Sequence, residues 1–196
     1  MPDRPYHHGD LRAVLLANAE RALAERGPAA LSLRELAREA GVSHAAPSRH
    51  FRDKQALIDA LALTGFERLT ERMEGTAKVE DGDDTLANLI RLARTYVDFA
   101  VEHPALLDLM YTRKHDPDVS EQLAAAVERM LDSVVSPIRE GQAAGEIAEG
   151  DPLTIAMTVS ATLHGFVMFK ADADPADVEV YLADVMGVLY NGIAPR

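Results

Sequence analysis

An all-α fold, about nine helices in total, is predicted for this chain of 196 residues on three observations. Nearly every segment repeats its apolar residues at the 3.6-residue period of an amphipathic helix. No run between turn signals alternates with the period of two that a half-buried strand requires. Caps and breakers recur where helices must start and stop: Ser32, Ser43, Asp151 and Asp174 as caps, Gly27, Gly41 and Gly145 as stops. The hydrophobic content of 47% suffices for a substantial core, as one large domain or two small ones.

The first helix is expected over Asp10 to Arg26, with Leu11, Val14, Leu15, Ala19, Ala22 and Leu23 inward and Gly27-Pro28 as its end. The second opens at Ser32. Ser32 and Glu35 have the spacing of a capping box, ahead of an apolar face of Leu33, Leu36, Ala37 and Ala40. Gly41 ends it, because glycine reaches the left-handed conformation that a tight interhelical turn demands. Val42 plugs the turn and Ser43 caps a third helix running to about Phe51. Pro47 lies four residues past that cap, where it removes only the first intrahelical bond, so a helix is still expected. A fourth helix follows from Asp53 through Leu57, Leu61, Phe66, Leu69 and Met73 to about Glu74.

Residues 75–84, polar and glycine-bearing, read as a boundary stretch. Beyond it a helix from Thr85 to Glu102 is broken at His103-Pro104, since the residue before proline is pushed from the α region. A short helix over Ala105–Tyr111 and a long one over Asp118–Ala144 follow, the latter with Pro137 as a kink and Gly145 as its end. Asp151-Pro152 and Asp174-Pro175 open the last two helices, each an aspartate cap before a proline whose missing amide costs nothing. These run to about Lys170 and Tyr190.

Two short helices joined by Gly41-Val42-Ser43 make a helix-turn-helix. An ordinary helical hairpin needs the same glycine and caps, so the neighbouring charges matter. Arg34, Arg38, His44, Ser48, Arg49, His50, Arg52 and Lys54 supply donors suited to phosphates and base edges, with few acids among them. Residues 1–55 hold 9 Lys+Arg against 7 Asp+Glu, net +2, whereas residues 56–196 hold 11 against 25, net −14. Only the amino-terminal part suits a polyanion. The expected division is therefore a DNA-binding domain over 1–54 and a second domain over 55–196.

At this point the chain resembles the tetracycline-repressor family of bacterial transcriptional regulators. The resemblance rests on a helix, the glycine-turn helix-turn-helix, His50-Phe51-x-x-Lys54-x-x-Leu57, and then a body of further helices. Tyr6-His7-His8-Gly9-Asp10-Leu11-Arg12, His44-Ala45-Ala46-Pro47 and Leu163-His164-Gly165 are similar to the subgroup named for a Trp-His-Gly motif, with Leu163 in the tryptophan's place. The resemblance implies a homodimer whose heads grip successive major grooves of a double-stranded operator and whose bodies dimerise and hold a small-molecule inducer. It places His44, Ala45 and Ala46 towards base edges, Arg34 at a base or phosphate, and Ser48, His50 and Lys54 at phosphates; Ser43 and Arg49 complete the expected DNA-binding set. Ser48 stands where the family usually has a tyrosine, and serine is too short to reach a phosphate without a bridging water.

For the body, the implied inducer is a small apolar molecule. Tyr96, Phe99, Met110, Met130, Val134 and Met168 are its expected wall, with His103 and His164 as polar anchors. The same residues also suit plain core packing. The last two helices carry Ile155, Val159, Leu163 and Phe166, and Val178, Tyr181, Val185 and Leu189; with Ala156, Ser160 and Gly165 allowing close approach, they suit a symmetric four-helix interface. The function expected is a DNA-binding repressor released by ligand; a regulator without a small ligand is the alternative. Enzymatic activity is not expected, because the chain lacks cysteine, a nucleophile elbow, a phosphate loop and a di-metal helix motif. No cofactor or metal is expected either, since His103, His115 and His164 are scattered and zinc needs three or four convergent ligands. Neither a signal peptide nor a membrane span is indicated, the apolar stretch over 153–169 being interrupted by Thr154, Thr158, Ser160, Thr162 and His164. A cytoplasmic location is expected.

Overall fold

The structure is a computed structural model that describes residues 11–76, 85–170 and 175–193. Tyr6 to Asp10, including His7 and His8, residues 77–84 of the expected boundary stretch and the Asp174 cap lie outside the described residues. Those described form eight α-helices and no strand: α1 Leu11–Arg26, α2 Leu33–Glu39, α3 Lys54–Thr76, α4 Thr85–Glu102, α5 Pro104–Arg113, α6 Glu121–Ala143, α7 Pro152–Lys170 and α8 Pro175–Ile193. Short 3-10 turns occupy Pro28–Ala30 and Pro47–Arg49. The chain divides into two compact units, residues 1–65 with 103–124, and residues 66–102 with 125–196. The sequence-based boundary at 54/55 falls at the start of α3, whereas the units divide that helix after Gly65 and group α5 with the head.

In the first unit, α1 buries Leu11, Leu15, Leu16, Ala19, Ala22 and Leu23, and Val14 is only half-buried. It stops at Gly27, whose φ of 75° needs no Cβ in the way. The end of α2 is a Schellman motif: Val42 N–H donates to Ala37 C=O at 3.0 Å and Gly41 N–H to Arg38 C=O at 3.2 Å, with Gly41 at φ 68°. Its start differs from expectation. Ser32 has the extended backbone of an N-cap but its hydroxyl makes no capping bond. Glu35 lies 3.7 Å from the Arg26 guanidinium instead, so the reciprocal half of the capping box is directed to α1.

The third expected helix, Ser43 to Phe51, is not an α-helix. Pro47 has no N–H to give Ser43, and in an α-helix its ring would press on that same carbonyl. Ser43 C=O accepts from Ala46 N–H at 2.9 Å, three residues on, and the segment continues as the Pro47–Arg49 3-10 turn. The loss of one bond therefore tightens the whole segment. Asp53 restores α-geometry, its Oδ1 accepting from Ala56 N–H at 2.8 Å to start α3.

α5 is seated on α3 by shape and charge. A Cβ at Gly65 would fall 2.5 Å from Met110 Sδ and 3.3 Å from Leu106 Cγ, so only glycine permits this approach. Arg113, 5% exposed, donates from Nε to Asp59 Oδ1 at 2.9 Å and pairs with Asp116 as well. A buried guanidinium stripped of either carboxylate would be left uncompensated.

In the second unit, α4 packs on α7 and α8 and buries Leu89, Leu92, Ala93, Val97 and Ala100. α6 passes through Pro137 as one helix and ends at Gly145, φ 74°. Asp151 caps α7, accepting from the Thr154 hydroxyl at 2.7 Å and from the amides of Leu153 and Thr154. The Thr154 hydroxyl and then the Leu153 amide hold its carboxyl below the ordinary aspartate range. The cap contribution is thus complete at neutral pH and is lost as pH falls through that lowered value.

Within α7 the threonines are not interruptions. Thr158 and Thr162 donate their hydroxyls to the carbonyls of Thr154 and Thr158, each at 2.9 Å. Pro152–Phe169 is long and apolar enough to cross a membrane by length and composition, and only 22% of it is buried within the chain. On α8 the inward residues are Leu182 and Met186, while Val178, Tyr181, Val185 and Leu189, the face expected to suit a symmetric interface, are exposed or half-buried. Two substitutions test the local account of the head. Asp53→Ala and Gly41→Ala are each expected to cost about 1 kcal/mol in urea unfolding, from a lost cap and from a Cβ forced to positive φ. An unchanged midpoint for both contradicts it.

Candidate nucleic-acid interface

The 43–51 segment has two apolar feet. Pro47 and Phe51 are buried, while Ser43, His44, Ala45, Ser48, Arg49 and His50 are exposed and Ala46 is half-buried. His50 N–H and Phe51 N–H both donate to Pro47 C=O at 2.9 Å, so the proline that prevents an α-helix also anchors the turn. The side chains expected at DNA are consequently gathered on the solvent side of one short, fixed stretch.

Charge on α2 is sorted in the same sense. Glu39 lies 3.3 Å from Arg26 and 3.6 Å from Arg21, and Glu35 is also paired with Arg26. Arg34 and Arg38 are exposed, and among the described residues neither has a carboxylate partner. Lys54 donates its ammonium to Ala29 C=O at 2.9 Å, tying the start of α3 to the turn before α2 and leaving two N–H groups for another acceptor. Arg12, part of the subgroup motif but not of the expected DNA-binding set, has its guanidinium 5.6 Å from the centre of the Phe51 ring and adds a cation beside the segment. Only the spacing of a helix-facing arginine could have suggested it. A small helical head presenting unpaired cations, imidazoles and hydroxyls from one face defines a helix-turn-helix DNA-binding protein.

The residues expected around a ligand are dispersed. His103 and Met110 belong to the first unit, where His103 Nδ1 lies 3.2 Å from Glu20 and Met110 is fully buried. Tyr96, Phe99, Met130, Val134, His164 and Met168 belong to the second. There the Tyr96 hydroxyl and His164 Nδ1 are 2.9 Å apart, Phe99 is fully buried, and Met130 Sδ accepts from Thr70 at 3.6 Å. Val134 is half-buried and Met168 is 63% exposed. The second unit also holds a cleft of about 400 Å³ lined by Glu74, Asn88, Arg129, Asp132, Ser133, Ser136, Pro137 and Glu140. Sequence reasoning passed these residues over, although Asp132, Ser136 and Glu140 repeat at the four-residue spacing of one helix face. Among the described residues no group of three or more His, Asp or Glu side chains is placed to hold a metal ion.

Comparison with known proteins agrees with this reading. Residues 15–61 match the family described as bacterial regulatory proteins, tetR family, and residues 89–186 match the tetracyclin repressor-like C-terminal domain. A solved structure from Rhodococcus sp. RHA1, described as a protein with unknown function, is 45% identical with a TM-score of 0.88, over 98% of this chain and 100% of that one. The HTH-type transcriptional regulator CymR of Pseudomonas putida is 32% identical over 124 residues, 61% of this chain and 59% of that protein. The fold is also that of the transcriptional regulator FadR from Bacillus subtilis, solved in complex with stearoyl-CoA, at 19% identity, TM-score 0.77, and 92% and 98% coverage. The chain belongs to the tetracycline-repressor family. It is a DNA-binding transcriptional regulator and not an enzyme.

Arg34→Ala and Arg49→Ala are each expected to weaken duplex binding by about 1 to 3 kcal/mol and to lower the slope of log affinity against log salt by about 1 if the contact is to phosphate. Fluorescence anisotropy over a salt series reads both quantities. Wild-type affinity and slope in both variants contradict the assignment of this face.

Proposed function

We propose that the protein is a homodimeric, cytoplasmic repressor that binds an operator through Arg34, Ser43 to Ala46, Ser48 to His50 and Lys54, and leaves it when a small molecule occupies the second unit. The head over 1–54 is the DNA-binding domain in this reading and residues 55–196 form the dimerisation and effector part. Alanines at 45 and 46 offer methyl groups to thymine rather than hydrogen bonds, so sequence choice leans on His44, Arg34, Arg49 and groove shape.

One observation carries the dimer. Leu153, Met157, Met168 and Phe169 on α7 and Val180, Tyr181 and Val188 on α8 are exposed by 42–90%. A soluble monomer rarely leaves so many large apolar side chains of two helices in water, and a self-complementary four-helix packing removes them from both copies at once. The effector part is supported by the open cleft in the second unit, and by FadR, a protein of the same fold solved with stearoyl-CoA. Ligand that favours one spacing of the two heads shifts the protein away from DNA by its difference in affinity for the two states.

A mobility shift with the DNA flanking the protein's own gene tests the regulatory reading: a discrete complex that survives excess unrelated duplex is expected, and binding competed equally by any duplex overturns it. Val188→Glu places like charges in the proposed dimer face. Sedimentation should show the wild type as a dimer and the variant as a monomer; a dimeric variant removes this interface.

A further inference from the structure

Arg12, exposed on the first turn of α1, is held in place without using its hydrogen-bond donors. Its guanidinium carbon lies 5.6 Å from the centre of the Phe51 ring, within cation–π range. The ring attracts the charge and leaves the five N–H groups in need of acceptors. Among the described residues no carboxylate, carbonyl or hydroxyl takes a bond from them. Other arginines of this unit are engaged: Arg21 and Arg26 pair with Glu39, Arg26 also with Glu35, and Arg113 with Asp59.

The support under Arg12 is itself fixed. Phe51 is 2% exposed and its N–H donates to Pro47 C=O at 2.9 Å, so the ring belongs to the foot that carries the 43–50 side chains. Arg12 is thereby registered on that segment although it comes from another helix. Arg34 and Arg38 are exposed with no ring beneath them among the described residues, so holding them on DNA costs rotamer freedom that Arg12 has already partly lost. Base edges lie on the floor of a groove and are met by the side chains that protrude from the segment; a guanidinium beside its foot meets the wall, which is phosphate. We propose that Arg12 is a DNA-phosphate clamp, positioned by Phe51 so that a planar, doubly donating group grips the backbone beside the groove that the 43–51 segment enters. This rests on the reading that the segment faces the operator, and adds to it a contact from α1.

The test is fluorescence anisotropy of the full-length protein over a salt series, on the duplex flanking its own gene and on an unrelated duplex. Arg12→Gln keeps a side chain over Phe51 and removes the charge. It is expected to weaken both duplexes about tenfold, to the same degree, and to lower the slope of log affinity against log salt by about 1. Arg12→Lys should recover the slope, because the charge returns, and only part of the affinity, because an ammonium lacks the planar fork. Neutral methylphosphonates placed singly along each strand should include one position per half-site that weakens the wild type and not Arg12→Gln. The absence of any such position overturns the inference. Weakening confined to the flanking duplex would make Arg12 a reader of bases, and a lowered melting midpoint with an unchanged salt slope would make it only a cover for Phe51; either overturns it. If Arg34→Ala and Arg49→Ala reduce affinity and slope while Arg12→Gln does neither, the DNA face stands and this contact falls. If none of the three has an effect, both fall.

Discussion

The burial of Pro47 and Phe51 beneath the 43–51 segment is the constraint on which the surface proposed to face DNA depends. Without an α-helix to hold it, this stretch is fixed by two apolar side chains below and by main-chain bonds that converge on Pro47 C=O. Once those feet are placed, His44, Ala45, Ser48, Arg49 and His50 have nowhere to go but outward. The surrounding charges follow the same division, because Glu35 and Glu39 are neutralised by Arg26 and Arg21 and the remaining arginines of α2 stay available to a polyanion. Local neutralisation of this kind is how a chain of net charge −12 presents a face that DNA tolerates.

A second constraint acts in the other unit. α7 satisfies the hydroxyls of Thr158 and Thr162 against its own carbonyls and that of Thr154 against the Asp151 cap, so its threonines do not depend on water. Its own chain covers little of this helix. The exposed side chains of α7 and α8 therefore constitute an unsatisfied hydrophobic demand within a single subunit, and a second copy is the economical way to meet it.

Much of the fold was legible because it is written in local chemistry. Gly27, Gly41 and Gly145 mark helix ends at positive φ, and Asp151 marks a start, since each acts within a few residues of its own position. The recognition segment was misjudged because two local rules compete there: a proline near a helix start is usually harmless, yet one displaced to the fourth position takes both a donor and the space at the Ser43 carbonyl. The Ser32 box was lost to a nonlocal partner, Arg26 on α1. Nonlocal pairing also explains why grouping α5 with the head was not legible, since Arg113 and Asp59 are 54 residues apart and Gly65 reveals its purpose only when Met110 lies against it. The cleft was missed for the same reason: its carboxylates come from two helices, and only the α6 part repeats visibly along the chain.

The central claim is that two such heads, related by the symmetry of a dimer, read one operator. Hydroxyl-radical footprinting on the DNA flanking the gene measures this directly. The account predicts two protected patches related by a dyad, their centres one helical turn apart, about 34 to 36 Å, or a whole multiple of it. Protection spread evenly along the duplex, or a single patch without a symmetry mate, would contradict it.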